Sequence, residues 1–315
     1  MSLLPKHVES MHAWLDSVEE VVAVDSHSHD GTLEFLEREL QHPRLRIMTH
    51  PPGLYQSWNF GIAQCRAKYL YISTVGETIG GEGLSTLCSA AERFAADVVI
   101  SPPRMIDMHG GAREKEWPIH GLISTLHLQD AFAIDGVAAQ VFAVCHLLRG
   151  ILGSSASNLY RADILRQFPF RTDFGTAGDL AWGLEHAGRV RFGIVPVPLA
   201  TFVFHPKSYA KSEYAVSDFV GQCVRLAEES VAGKAWMPGV NRGVPELENL
   251  LRNLLDDWRV YLATKATVQS LKSRAAWFLN PGAWIAHRER TARLRRLERT
   301  QDVAMRSIAS AIIRQ

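Results

Sequence analysis

The densest run of chemically capable side chains is Asp25-Ser26-His27-Ser28-His29-Asp30-Gly31-Thr32. It follows the β-branched, apolar segment Glu20–Asp25 and precedes a helical pattern at Thr32–Leu40, with Leu33, Leu36 and Leu40 on one side. A strand that is apolar on both faces is one buried on both faces, so the loop is held at a strand's carboxyl end. Its carboxylates and hydroxyls can hold a polar ligand or turn the chain into the next helix. Its two imidazoles, at 27 and 29, can share a metal ion. Thr74-Val75-Gly76-Glu77 offers a hydroxyl and a carboxylate after a second strand pattern, Tyr69–Ser73. Asp179 precedes the helical run LAWGLEHA, where a carboxylate can cap the helix or act as a general base. His205 ends the strand-like run FGIVPVPLATFVFH.

The elements that must position these groups alternate through the first third of the chain. Val8–Ser17 has the spacing of an amphipathic helix and Leu45–Met48 that of a short strand. Leu54, Trp58, Ile62 and Cys65 mark a helix, as do Leu84, Leu87, Ala91 and Phe94; Asp97–Ile100 is a strand stopped by Pro102-Pro103. Such alternation predicts βαβ units and a mostly parallel sheet, with ligands beyond the carboxyl ends of the strands. That places the Ser26–Gly31 loop, the segment after Thr49 and Thr74–Glu77 at the site. Residues 104–150 read as helix with loop. Their longest apolar stretch, Ala131–Leu148, is interrupted by Asp135, Gln140 and His146 and reads as a buried helix, not a membrane span. From about Ser212 the pattern is helical, with Glu246–Lys265 a long amphipathic helix.

Composition narrows the class. The 315 residues are 47% hydrophobic and 21% charged, which suits a packed core and excludes a disordered chain. The net charge of +1 gives no global attraction to nucleic acid. Cys65, Cys88, Cys145 and Cys223 show no CxxC spacing, and MSLLPKHVESMHAWL lacks a secretory h-region. Both point to a reducing, cytoplasmic setting. The charge is uneven: Lys265–Gln315 carries eleven Lys/Arg against three Asp/Glu, a net of +8, and the remainder is −7. Trp277, Phe278, Leu279 and Trp284 lie among that positive charge. This combination predicts either peripheral attachment to the inner face of an anionic membrane or folding of the tail onto the acidic body.

VAVDSHSHDGT resembles the first diagnostic loop, VVDxxSxDGT, of inverting, nucleotide-sugar-dependent glycosyltransferases of the family-two type, which have the GT-A fold. Four further segments follow in that family's order: Gly53–Ile62 with Asn59, then KYLYISTVGETI; NLYRADIL; AGDLAWGLEHAG; and PVPLATFVFHPKS. Together they span residues 20–208. The resemblance implies an α/β, Rossmann-like GT-A domain over 1–210 with a mostly parallel sheet and flanking helices. A helical C-terminal region with the basic tail, 211–315, would follow it. It implies transfer of a sugar, with inversion, from a nucleoside-diphosphate donor, expected to be UDP-linked. The acceptor would be a hydroxyl on a glycan or lipid-linked molecule, by default in cell-envelope polysaccharide synthesis. Asp179 would be the catalytic base. Asp25, Ser28, Asp30, Asn59 and Thr74 would bind the donor, and Glu77 and His205 would hold Mg²⁺ or Mn²⁺.

Three departures accompany the resemblance. The opening strand of the family is reduced to a stub at Ser2–Leu4. Gly76 stands where the Asp-x-Asp carboxylate is usual, and Gly178 replaces the usual Glu before Asp179. These admit a second reading, a GT-A-fold pseudoenzyme or sugar-binding module. A third reading takes VDSHSHD as the "DxHxH" of a metal-dependent amidohydrolase-type hydrolase using His27 and His29. It requires eight βα units and further metal ligands.

Overall fold

The structure, a computed structural model, describes residues 3–113, 117–147, 149–204, 213–233, 245–269, 281–309 and 312. His205, Trp277, Phe278 and Leu279 lie outside the described residues, as does the expected domain boundary at 210.

The chain opens with a helix. Leu4–Met11 (α1) buries Leu4, His7, Val8 and Met11, and a short 3₁₀ turn follows at Leu15–Ser17. Leu4 thus lies in a helix and not in the expected strand stub, whose Ser2 is outside the described residues, and the single helix expected over Val8–Ser17 is broken after Met11. Pro5 sits in the first turn, where its missing N–H costs nothing. The next elements fall where the pattern placed them: β1 (Val21–Asp25), α2 (Thr32–Glu39), β2 (Leu45–Thr49), α3 (Leu54–Gln64), β3 (Tyr69–Tyr71), then α4 (Gly81–Phe94) and β5 (Val98–Ile100). Short strands that the pattern did not show are β4 (Glu77–Ile79), β6 (Arg104–Asp107) and β7 (Phe132–Ile134). Ala131–Leu148 is therefore not one helix: β7 breaks at Asp135-Gly136 into α6 (Gly136–Cys145), after α5 (Pro118–Thr125). Then come β8 (Asn158–Arg161), α7 (Ala162–Gln167), α8 (Gly178–His186), β9 (Phe192–Ile194) and β10 (Ala200–Phe204). Three long helices follow: α9 (Glu213–Gly233), α10 (Pro245–Gln269) and α11 (Pro281–Ile308).

The strands form mixed sheets rather than a mostly parallel one. β1 and β2 pair in parallel, from Val21 opposite Leu45 to Asp25 opposite Thr49. A five-stranded sheet runs β3-β8-β5-β9-β7, with only β5–β9 parallel. β10 joins β4 antiparallel and β6 parallel in a third sheet. The antiparallel partners β7 and β8 come from the stretch whose pattern fades. Three- and four-residue strands that are buried except at Arg161 have no alternation to betray them.

Side-chain alternation splits the core in two. Val98 and Ile100 of β5 face a cluster with α6, α8 and α9–α11, whereas Val99 faces a cluster with α1, α2 and α4. The described C-terminal helices thus complete the main core, through Cys223, Leu254, Leu262, Leu297 and Ile308.

Between β1 and β3 the sheet is open. Among the described residues β1 pairs only with β2, and β3 only with β8. A cavity of about 710 Å³ lies between them on the α1 and α2 side, and one of about 350 Å³ on the α3 side. Val21, Val22, Ala23 and Val24 are consequently only half-buried, although their sequence suits burial on both faces.

Candidate functional site

The two cavities meet at the carboxyl ends of β1 and β3, where Ser26, Ser73 and Val75 line both. Asp25 ends β1 and is 5% exposed. Its Oδ2 accepts the Ser28 backbone N–H at 2.9 Å, which folds the loop back over the strand end. Asp25 and Ser28 both line the larger cavity. Ser26 Oγ lies 3.0 Å from Ser57 Oγ, tying this loop to the first turns of α3. Asp30 lies farther out, at the solvent surface. Thr32 Oγ1 donates to its Oδ1 at 2.6 Å, and this bond helps hold its carboxyl below the usual range. Asp30 thus serves the entry to α2 and is not part of either cavity wall.

The Thr74–Glu77 loop differs from the sequence expectation. Glu77 is 6% exposed, and its carboxylate points into a cage of hydroxyls. Thr74 Oγ1 donates to Oε2 at 2.6 Å, Ser155 Oγ to Oε2 at 2.7 Å and Ser154 Oγ to Oε1 at 2.9 Å. Both oxygens accept hydrogen bonds, so Glu77 ties the β4 loop to the start of the segment leading to β8. The Thr74 hydroxyl is spent in the same cage. Gly76 has φ +100°, and a Cβ there would meet Leu3 Cδ1 at 3.2 Å. A carboxylate at 76 would therefore require a strained backbone. Among the described residues no group of three or more His, Cys, Asp and Glu side chains is placed to hold a metal. Of the two residues expected to hold Mg²⁺ or Mn²⁺, His205 lies outside the described residues and Glu77 is held by the three hydroxyls.

Asn59 is likewise committed elsewhere. Its Nδ2 donates to the Phe170 carbonyl at 2.8 Å, and its Oδ1 accepts the Phe170 N–H at 3.0 Å. It pins the segment before α8 through both ends of its amide. Arg161 and Arg171 are tied up in ion pairs, Arg161 with Asp97 and Asp163, and Arg171 with Asp173, Glu185 and Glu229.

Asp179 sits in the first turn of α8, where a carboxylate suits the positive end of the helix. Its Oδ1 accepts the Leu180 N–H at 2.8 Å. Burial pushes its carboxyl above the usual range, against the Tyr55 hydroxyl and the Leu180 N–H, which favour ionisation. A raised carboxyl pKa suits a general base, because it strengthens proton affinity at working pH. Tyr55 belongs to α3, two residues before Ser57. The first turn of α3 therefore connects the Asp25 loop to the start of α8, through Ser57 on one side and through Tyr55 against Gly178 and the Thr176 carbonyl on the other. Sequence spacing marked α3 only as a helix. Tyr55 and Ser57 become visible as site residues only once the chain is folded.

The hydrolase reading fails on topology. The described strands form open mixed sheets and not an eight-stranded barrel, and His27 and His29 have no third ligand among the described residues.

Residues 2–146 match the family model of Glycosyl transferase family 2. The resemblance read from VAVDSHSHDGT is borne out over that stretch. Among solved structures, Staphylococcus aureus TarS residues 1–349 shares 15% identity with a TM-score of 0.58, covering 98% of this chain and 86% of that one. The same protein in complex with UDP-GlcNAc matches at 15% identity and TM-score 0.53, covering 95% of this chain and 87% of that one. Its complex with UDP matches at 14% identity and TM-score 0.51, covering 95% and 88%. These likenesses extend the GT-A fold beyond residue 146 into the C-terminal helices. No curated protein sequence matches the chain.

Proposed function

With residues 2–146 a family-two glycosyltransferase stretch in a GT-A fold, we propose that the protein transfers a sugar, with inversion, from a UDP-linked donor to a hydroxyl acceptor. The observation that carries this reading is the first turn of α3. Through Ser57 it touches the loop that follows Asp25, and through Tyr55 it abuts the start of α8 at Gly178, the residue before Asp179. Donor loop and candidate base are thereby held by one rigid element.

In this reading Asp25 accepts hydrogen bonds from the base or ribose of the nucleotide, and Ser28 lines the same pocket. The acceptor hydroxyl loses its proton to Asp179 as it attacks the anomeric carbon, and the nucleoside diphosphate leaves from the opposite face. The UDP and UDP-GlcNAc bound by the TarS structures support the choice of donor. The acceptor is proposed to be a cell-envelope glycan or its lipid-linked precursor. The exposed Trp284 and Ile285, with Arg288 stacked 4.9 Å over Trp284, would bring the enzyme to a membrane surface.

Asp179→Asn tests the reading. Transfer from UDP-GlcNAc to a cell-envelope extract should fall by roughly 10²–10⁴-fold, as expected for loss of a general base. UDP binding should persist. Burial of the ionised carboxyl opposes folding above its raised pKa, a cost absent at lower pH where the group is protonated. The melting temperature at pH 7.5 should therefore hold or rise. Transfer within a few-fold of wild type would reduce Asp179 to a helix-terminal residue.

A further inference from the structure

Residues 170–177 lead into α8, so their placement decides where Asp179 stands. They pack directly on the residue before it: a Cβ at Gly178 would collide with the Arg171 carbonyl oxygen. The segment is fastened on two sides. Toward α8, Arg171 Nη1 donates to Glu185 Oε1 at 2.8 Å. Toward α9, Arg225 Nη2 donates to Asp173 Oδ2 at 2.5 Å, and Arg225 Nε donates to Glu229 Oε1 at 3.1 Å. Arg171 holds the same Asp173 through Nε at 2.7 Å and Nη2 at 2.6 Å, and its Nη2 also reaches Glu229 at 3.4 Å. Phe174 is fully buried, and the guanidinium carbons of Arg171 and Arg225 lie 4.5 and 3.9 Å from its ring centre, within reach of cation–π attraction. Gly175 beside it has φ +47°, and a Cβ there would run into the Gln222 side-chain amide. Gln222, Arg225 and Glu229 are three and four residues apart, so one face of α9 meets the segment.

We infer that Arg225 is a positioning residue for Asp179: α9 clasps the segment in front of α8 and so fixes where the carboxylate stands. This rests on Asp179 as the base. It goes further in giving the C-terminal helices a part in the reaction, since α9 lies outside residues 2–146, which match the family model. The two faces of α9 divide the work. Cys223, Leu226 and Ala227 are buried in the main core and hold the helix to the body. The side chains of Arg225, Asp173 and Glu229 are 45%, 51% and 46% exposed, and ion pairs so exposed add little to stability. They can nevertheless restrict a loop. A displacement of about 1 Å at a reacting group can cost on the order of 100-fold in rate. A contact of small energetic weight can therefore govern the geometry of the site.

The test uses Arg225→Ala and Asp173→Ala, singly and together, in the full chain. With UDP-GlcNAc as donor and a cell-envelope extract as acceptor, Arg225→Ala should lower kcat by roughly 10–100-fold while KM for UDP-GlcNAc stays within about twofold. Its melting temperature should fall by no more than about 4 °C. Asp173→Ala removes the other end of the contact and should lower kcat similarly. The double variant should be no worse than the poorer single one, because the two groups act as a unit. Hydrogen exchange reads the clasp without turnover: in Arg225→Ala the amides of residues 171–179 should exchange at least about tenfold faster, with those of Val98–Ile100 unchanged. Unchanged exchange at residues 171–179 overturns the clasp. Faster exchange with a wild-type kcat, or losses that simply add in the double variant, overturns its part in catalysis. Asp173→Ala probes the contact from the loop side, so poor folding of one variant leaves the other to decide. Turnover that survives Asp179→Asn would overturn the reading of the base instead, an outcome that the exchange measurement keeps separate.

Discussion

Glu77 and Asp179 show how differently one protein can use two inward-facing carboxylates. Glu77 is surrounded by three hydroxyl donors from Thr74, Ser154 and Ser155, an arrangement that satisfies a charge at rest. Asp179 has fewer donors and a carboxyl that burial holds above its usual range, which suits the proposed role of base. Glu77→Gln is expected to cost about 1–3 kcal/mol, because an amide NH₂ cannot accept from the hydroxyls it would face. A chain of this size should then melt several degrees lower, with its response to Mn²⁺ and EDTA unchanged. An unaltered melting temperature with altered Mn²⁺ dependence would return Glu77 to the metal role. Sequence spacing located both carboxylates but not their partners. Ser154 and Ser155 lie 77 and 78 residues from Glu77, and no local pattern links them.

At the scale of elements, the run from β1 to β5 was legible because strands and helices of ordinary length alternate there with clear apolar spacing. β4, β6 and β7 were not, since three or four residues carry no period, and β7 lies inside an apolar stretch that also suits a helix. The open edge between β1 and β3 was not legible, because no local pattern shows which strands pair. Its consequence is local. Among the described residues, backbone groups of β1 and β3 that face the gap have no strand partners, whereas β5 is paired on both sides by β8 and β9. Hydrogen exchange should reflect this. Gap-facing amides of Val21–Asp25 and Tyr69–Tyr71 should exchange at least tenfold faster than those of Val98–Ile100. Equal protection in the two regions would mean that the gap is filled in solution.

At the scale of the whole molecule, the basic tail is largely structural where it is described. Leu297, Ala304, Met305 and Ile308 of α11 are buried in the main core. Arg293 and Arg296 converge at 2.6 and 3.0 Å on Asp257, whose side chain is 2% exposed. Removing one partner of such a group strands a charge, so Arg293→Ala combined with Arg296→Ala should cost about 3–5 kcal/mol. Reducing the pair to Met should cost less if Asp257→Asn is made at the same time. A melting temperature unchanged by the double alanine variant would show that α11 does not hold the fold. Among the described residues, Trp284, Ile285 and Arg288 are the surface offered to a membrane. Co-sedimentation with anionic vesicles that salt weakens and Trp284→Ala abolishes would establish that contact. Indifference of the intact chain to anionic vesicles at low salt would dismiss it.

The central claim is that a nucleotide-sugar donor binds beside Asp25 at the carboxyl ends of β1 and β3. Thermal unfolding with UDP, GDP, dTDP and CMP tests it most directly, because a ligand that binds only the folded state raises its stability. The account predicts a rise in melting temperature with UDP in wild type that Asp25→Ala largely removes and Asp179→Asn retains. A UDP shift of equal size in Asp25→Ala, or no response to any of the four nucleotides, would contradict it.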